Sequence, residues 1–367
     1  MEIKTRQHVP DEEEEQPLSP AARLFHTSEF NLNIISVIGS KSKINLDMII
    51  RGSKESCIKH PRFSSRLVCD GENGQNLRWV RTNVVVEDHI IVPKIQQKKI
   101  ENADAFLEEY CNIPIPLDTS RPLWELHLLD LKTSDAEAVA VLKIHHSLGD
   151  GMSIMSLLLA CMRKTSNPDE LPSLPTASSR LTAGSRSDSR LWWLVKVIWT
   201  AVMLMLNTVS DALEFFVTTL CFKDTETPIK GDFLSMKKGT GLRLVHRTVS
   251  LDDIKLIKNA MKMVAATLIN RMLSNTTMTF SNMVGPVEEV SFYGHPITYF
   301  ATSAYGHPHA LTIHCQSYMN KMTITLIVDP TVISDPHRLC DDLEESLQNI
   351  KAAVHERVSS CMGSTQQ

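Results

Sequence analysis

The sequence predicts an α/β protein, two units of mixed sheet with helices packed on them. Three observations carry that expectation. Strand-like and helix-like stretches alternate from Leu18 to about Met162, and again beyond about residue 240. Between them TSNPDELPSLPTASSRLTAGSRSDSR (165–190) is rich in Ser, Thr, Pro and Arg and reads as a linker. The chain has 367 residues, more than one ordinary core accommodates.

Each element follows from its pattern. Residues 1–16 hold DEEEEQ and read as a disordered acidic tail, with no apolar stretch of the secretory-signal kind. NLNIISVIG (31–39) alternates as a strand does. INLDMIIRGSKESCIKHPRF (44–63) reads as a helix running to a stop at His60-Pro61. LRWVRTNVVVED (77–88) is strand material, and ADAFLEEYCN (103–112) is helical. PLWELHLLDL (122–131) and AEAVAVLKI (136–144) are two further strands, and GMSIMSLLLACMRK (151–164) is a helix. LTIHCQSYMNKMTITLIVDP (311–330) holds two strands. SDPHRLCDDLEESLQNIKAAV (334–354) is a helix that Asp335 caps and Pro336 starts. Leu339, Leu343, Leu347, Ile350 and Val354 form its apolar stripe.

LWWLVKVIWTAVMLML (191–206) carries one charge, Lys196. Extended to Val209 it is borderline for a bilayer span, which takes about 20 residues. A crossing helix would put the two units on opposite sides of the membrane. A helix lying in the interface, or re-entrant, therefore fits better, and Trp192, Trp193 and Trp199 suit that depth. A buried helix of a soluble protein is the alternative.

Composition excludes several classes. The net charge is −4 and no basic tract interleaves with aromatics, so nothing favours nucleic acid. The eight cysteines are scattered without a C-x-x-C. That pattern implies free thiols in a reducing compartment rather than a zinc ribbon or a thioredoxin-type motif.

The stretch with chemistry in it is KIHHSLGDG (143–151). Ala138 to Ile144 is nearly continuous apolar, as in a strand buried on both faces. His145 and His146 then fall at the strand end, ahead of a helix starting at Gly151. Imidazole exchanges protons near neutral pH, and a strand-end turn places it at a cleft. Neighbours in extended chain point to opposite sides, so one histidine faces a substrate while the other packs inward. Asp150 either orients a ring or pairs with an arginine, for which Arg121 is a candidate. Gly151 permits close backbone approach. A histidine at a strand end is more often structural, so the string alone leaves catalysis open. A metal site lacks further ligands at suitable spacing, and Ser147 lacks the G-x-S-x-G elbow of a nucleophile.

HHSLGDG resembles the HHxxxDG motif of CoA-dependent acyltransferases with the chloramphenicol-acetyltransferase-like fold. PLSPAARLFH (17–26), HPRFSSRLV (60–68), PLDTSRPLWELHLLDL (116–131), SNMVGPVEEVSFYGHPITYF (281–300) and QSYMNKMTITLIVDPTVISDPHRLCDDLEES (316–346) are similar to one branch of them. That branch is the plant bifunctional wax ester synthase/diacylglycerol acyltransferase family. The resemblance covers nearly all of the chain.

The resemblance implies two chloramphenicol-acetyltransferase-like halves, at 17–165 and 241–367. They are joined by a linker at 166–240 that holds the apolar segment 191–209. It implies that His146 is the general base, with His145 beside it and Asp150 more structural than catalytic. The partners implied are acyl-CoA as cosubstrate, a long-chain fatty alcohol or diacylglycerol as acceptor, and a membrane surface. No cofactor and no metal are implied. The location implied is the endoplasmic reticulum membrane, active site toward the cytosol, with the plasma membrane as a second address. In the second half, Ser281 and Asn282 line the substrate cleft from the far side, or SNMVGP is only a structural turn at Gly285-Pro286.

The chain departs from the family pattern in one place. The resemblance runs through LDDIKLIKNAMKM (251–263), breaks, and resumes at AATLINRMLSNTTMTFSN (265–282). The family's next helix contains Asn-Asp, and this sequence has no such dipeptide. A stretch of roughly one hundred residues is therefore expected to be missing near residue 263, leaving a shortened second half whose sheet lacks strands. Two other readings follow. One is a catalytically impaired, lipid-binding or regulatory member of the same lineage. The other is an acyltransferase for soluble phenolic or alkaloid alcohols, against which the apolar segment and SNMVGPVEE argue.

Overall fold

The structure, a computed structural model, describes residues 16–19, 22–23, 25–26, 31–70, 76–95, 100–112, 117–173, most of 196–213, 227–229, 242–250, 277–306 and 309–363. Residues 1–15 of the acidic tail and the expected break near residue 263 lie outside them, while Gln16, the tail's last residue, is described and extended.

In chain order the elements are β1 (Gln16–Pro17), β2 (Asn33–Ser40), α1 (Leu46–Glu55), β3 (Ser65–Asp70), β4 (Asn76–Arg81), β5 (Ile90–Ile91) and α2 (Ala103–Asn112). Next come β6 (Trp124–Leu129), β7 (Ala138–His145), α3 (Gly151–Ala160) and β8 (Met162–Lys164). Then follow β9 (Arg243–Ser250), β10 (Thr279–Met283), β11 (Val290–Phe292), β12 (His295–Tyr305), β13 (Leu311–Tyr318), β14 (Lys321–Val328) and α4 (Pro336–Gly363).

Three sheets result. The largest has seven strands in the order β5-β6-β7-β2-β12-β11-β8. A second has four, β10-β13-β14-β9, and a third has three, β1-β4-β3. β5–β6 and β10–β13 are parallel pairs and the other ladders are antiparallel, so both larger sheets are mixed as expected. The large sheet does not respect the boundary between the sequence halves. β12, from the second half, pairs along β2 from Ile297–Ser40 to Tyr305–Asn33.

The layers are set by side-chain alternation. Ile34 and Ile38 of β2 join Leu142 and Ile144 of β7 on one face, under α1 and α3. Ile35, Val37, Val139 and Val141 take the other face, where Leu107 and Cys111 of α2 and Leu244 and Ile327 of the second sheet cover them. α4 closes the far side of the second sheet through Cys340, with Leu339 and Leu343 against that core. Every residue of β7 is buried, as a strand covered on both faces requires.

Several elements are shorter than their patterns predict. The helix read over 44–63 ends at Glu55, where the Ser56 amide closes on the Gly52 carbonyl, and Pro61 opens a separate tight turn. The strand read over 77–88 stops at Arg81, and Val86 buries itself from a tight turn instead. The helix read over 151–164 stops at Ala160, because Met162 pairs with Phe292 and is fully buried there. α4 is capped as predicted, with the Arg338 amide donating to Asp335 at 3.0 Å, but Ile350 of its stripe is exposed. The described part of the apolar segment is helical. No helix among the described residues is long and apolar enough to cross a membrane.

Candidate active site

β7 delivers the histidine pair. Its last residue, His145, donates its amide to the Leu123 carbonyl at 3.0 Å, and the His146 amide reaches Leu32 at 2.9 Å. These bonds pin the turn to both neighbouring segments. His146–Leu148 then forms one tight turn before α3.

The two rings sit in different environments. His145 is 5% exposed. Its Nδ1 receives the Ser147 amide at 3.3 Å, with Ser147 Oγ at 2.7 Å, so Nε2 carries the proton and donates it to Asn31 Oδ1 at 3.0 Å. Its ring stacks on His26 at 4.1 Å between centroids. Burial, and then the nearby His26 and His146 rings, push its pKa down to about 3. It is neutral and structural.

His146 is half-buried, with its ring 4.4 Å from that of Phe25. Burial lowers its pKa below 6.5, while its own backbone carbonyl and the Asp150 carboxylate pull the other way. The ring is neutral near pH 7 and able to accept a proton. One ring packing inward and one left more open is the arrangement that strand alternation predicts. Phe25 and His26, which cover the pair, are site residues that the sequence reading did not single out. Their signal was present, since they end the PLSPAARLFH motif.

Asp150 is exposed and caps α3, accepting from the Ser153 amide at 2.8 Å, and that bond holds its carboxyl below the usual range. The candidate pairing with Arg121 does not form. Arg121 is held by nearer partners: Asp118 at 3.2 Å, Glu125 at 3.8 Å and the Asp88 carbonyl at 2.6 Å.

Gly151 meets the second half of the chain. A Cβ there would lie 2.8 Å from Met283 Sδ. Met283 also helps enclose an apolar cavity of about 30 Å³ with Ile34, Ile144, Gly151, Met155 and Leu158. Ser36 and Thr302, hydrogen-bonded to each other at 2.7 Å, are the polar residues of its otherwise apolar lining. Met283, which the sequence reading passed over, is thus a second-half residue at this wall, together with Thr302. Ser281 shares its face of β10, while Asn282 alternates to the opposite, exposed face, so the two do not line one cleft together. Gly285 is structural. A Cβ there would sit 2.1 Å from the Ser317 carbonyl oxygen, so only glycine lets the chain pass. A second, polar cavity of about 380 Å³ lies between α2, β9 and the start of α4, and shares no lining residue with the histidine turn.

A neutral, half-buried imidazole thus stands at the end of a buried strand in the large mixed sheet, which strands of both sequence halves build. Solved structures agree on the fold. The wax ester synthase/diacylglycerol acyltransferase from Marinobacter aquaeolei VT8 superposes with a TM-score of 0.57 at 16% identity, covering 93% of this chain and 100% of that one. A starter condensation domain of rhizomide synthetase, in complex with C8-CoA and Leu-SNAC, does so at 0.51 and 8% identity, covering 93% and 94%. Residues 24–264 match the wax ester synthase/diacylglycerol acyltransferase catalytic domain, and 246–351 the WS/DGAT C-terminal domain. Wax ester synthase/diacylglycerol acyltransferase 4 of Arabidopsis thaliana is 59% identical, over 98% of this chain and 94% of its own length. The chain belongs to the wax ester synthase/diacylglycerol acyltransferase family, a family of acyltransferases. That last alignment runs over 495 positions against the 367 residues here, so more than a hundred positions of the relative have no counterpart in this chain.

Proposed function

We propose that this chain transfers a long-chain acyl group from acyl-CoA to the hydroxyl of a fatty alcohol, making wax esters, and also to diacylglycerol, making triacylglycerol. His146 is the general base. Its neutral ring takes the hydroxyl proton as the oxygen attacks the thioester carbonyl, and the proton passes to the departing CoA sulfur. No covalent acyl-enzyme intervenes, and no resident cofactor or metal takes part. Such proton transfer contributes ~10²–10⁴-fold, and holding two substrates in line supplies the rest. The observation that carries this reading is the unequal histidine pair: His145 is bound through both ring nitrogens, and His146 is half-buried with its ring against Phe25.

The substrates are apolar, and the apolar helix supports delivery from a membrane surface. Trp199, Leu204 and Met205 are 62%, 66% and 70% exposed. Such a face lies in a lipid interface with its aromatic ring at headgroup depth. The cytosolic side of the endoplasmic reticulum is the surface we assign to it.

The test is turnover by the purified chain. Labelled palmitoyl-CoA is supplied with hexadecanol in one tube and dioleoylglycerol in another. Ester in the first tube, with a smaller yield in the second, is the expected result. A folded chain that makes neither ester contradicts the proposal. The absent hundred positions would then have removed the activity, leaving a lipid-binding or regulatory family member.

A further inference from the structure

The polar cavity between α2, β9 and the start of α4 has no part in the proton transfer at the histidine turn. At about 380 Å³ it is the size of a small-molecule site. Both halves of the chain build it, and ligand sites concentrate at such boundaries. Its floor is apolar: Val37 of β2, Leu107 and Cys111 of α2, and Leu244 of β9. Around that floor stand three carboxylates, Asp104, Glu108 and Asp135, and one guanidinium, Arg247. His246 and His337 are its other titratable groups.

These charges are unequally engaged. Glu108 accepts from His337 at 3.1 Å, with Arg243 at 4.0 Å. Arg247 is drawn toward α4, where Asp341 and Glu344 pair with it. Asp104, by contrast, accepts only from neutral donors among the described residues, the Ser134 amide at 3.3 Å and the Ser134 hydroxyl at 3.2 Å. Asp135, the next residue in that loop, has neither an ion pair nor a hydrogen bond among the described residues. Two carboxylates of the cavity thus keep their charge without a cation beside them.

His246 adds a third acceptor. Its ring stacks on Tyr299 with 5.0 Å between centroids, and neither ring nitrogen is hydrogen-bonded among the described residues. Burial lowers its proton affinity, against the pull of Asp135 and Asp104, so the ring is neutral near pH 7 and offers one nitrogen lone pair. Among the described residues no three such groups are placed to hold a metal ion. A larger, organic cation with an apolar body fits the same charges and the same floor. A primary ammonium carries three N–H donors, one each for Asp104, Asp135 and His246. An aliphatic chain behind it is removed from water against Val37, Leu107 and Leu244.

We propose that this cavity binds an aliphatic primary amine in its ammonium form. The ammonium sits at Asp104, Asp135 and His246, and the chain lies on the apolar floor. The occupied site ties α2 and its neighbouring loop, from the first half, to β9 of the second. No residue of the histidine turn takes part, so binding does not depend on turnover.

The experiment is calorimetric titration of the full chain with n-octylamine at neutral pH. Two analogues separate the forces: 1-octanol has the chain without the charge, and octyltrimethylammonium has the charge without N–H donors. The expected result is one saturable site per chain for octylamine, with each analogue weaker by ~10-fold or more, as charge-assisted hydrogen bonds require. Asp135→Asn weakens octylamine by ~10-fold, and adding Asp104→Asn weakens it further. The thermal midpoint rises with octylamine in the unmutated chain and not in the doubly substituted one. The proposal is overturned if octylamine shows no saturable site, if either analogue binds equally well, or if the double substitution leaves the affinity unchanged. The three probes on the unmutated chain decide this even if the substituted chain does not fold.

Discussion

His145 holds Asn31 and Ser147 through its two ring nitrogens, so replacing it breaks a buried network. His145→Ala leaves those partners unsatisfied and is expected to cost about 1–3 kcal/mol. Thermal unfolding of the purified variant checks this, and an unchanged midpoint would refute the structural role. Asp150→Ala removes the α3 cap and is expected to cost about 1 kcal/mol, while Asp150→Asn keeps the cap and the stability. Loss of turnover in Asp150→Asn as complete as in His146→Ala would contradict a capping role. His146 itself sets a pH limit. Its proton affinity is reduced by burial, so the acidic limb of kcat/KM is expected below pH 6.5, with a plateau above it. A limb centred well above that value would assign the base to another group.

At the scale of elements, the helix–strand alternation was readable because β7, α2 and β13–β14 have clean patterns. β7 and α2 came out within two residues of their sequence-based bounds. The ends of α1, β4 and α3 were not readable, since tertiary pairing set them: Met162 leaves its helix because Phe292 offers a strand partner. The histidine turn was legible as a motif. What covers it was legible only in part: Phe25 and His26 end the PLSPAARLFH motif, while nothing in the local sequence around Met283 says where it folds back. The Gly151–Met283 contact gives a test at this scale. Gly151→Ala is expected to change stability by no more than about 1 kcal/mol, because the thioether end of Met283 can move aside. Gly151→Leu fills the apolar cavity and is expected to reduce kcat/KM for long-chain acyl-CoA more than for short. Equal loss across an acyl-chain series would detach that cavity from acyl binding.

Across the whole molecule, burial of imidazoles couples folding to pH. His26, His89, His145, His146 and His246 all have proton affinity reduced chiefly by desolvation. Unfolded, each titrates near 6.5; folded, each titrates lower. Between those values the unfolded chain holds more protons, so stability falls as pH falls through 6.5. For His145 the window extends down to about 3. Each such group contributes up to about 1.4 kcal/mol per pH unit inside its window. The thermal midpoint is expected to drop steadily from about pH 7 to about pH 5, and a flat profile would contradict the burial of these rings. The second sheet has four strands among the described residues, and the relative's additional hundred positions are missing from this chain. Whether the two sheets as they stand hold both substrates is thus a question of turnover rather than of lineage.

The central claim is that His146 moves the proton. Ester formation from palmitoyl-CoA and hexadecanol, measured side by side for the unmutated chain and His146→Ala, tests it most directly. Circular dichroism and unfolding midpoints confirm that the two are equally folded. The account predicts ester from the first and a loss of at least ~10²-fold in the second. Comparable rates from both would show that the proton leaves by another route.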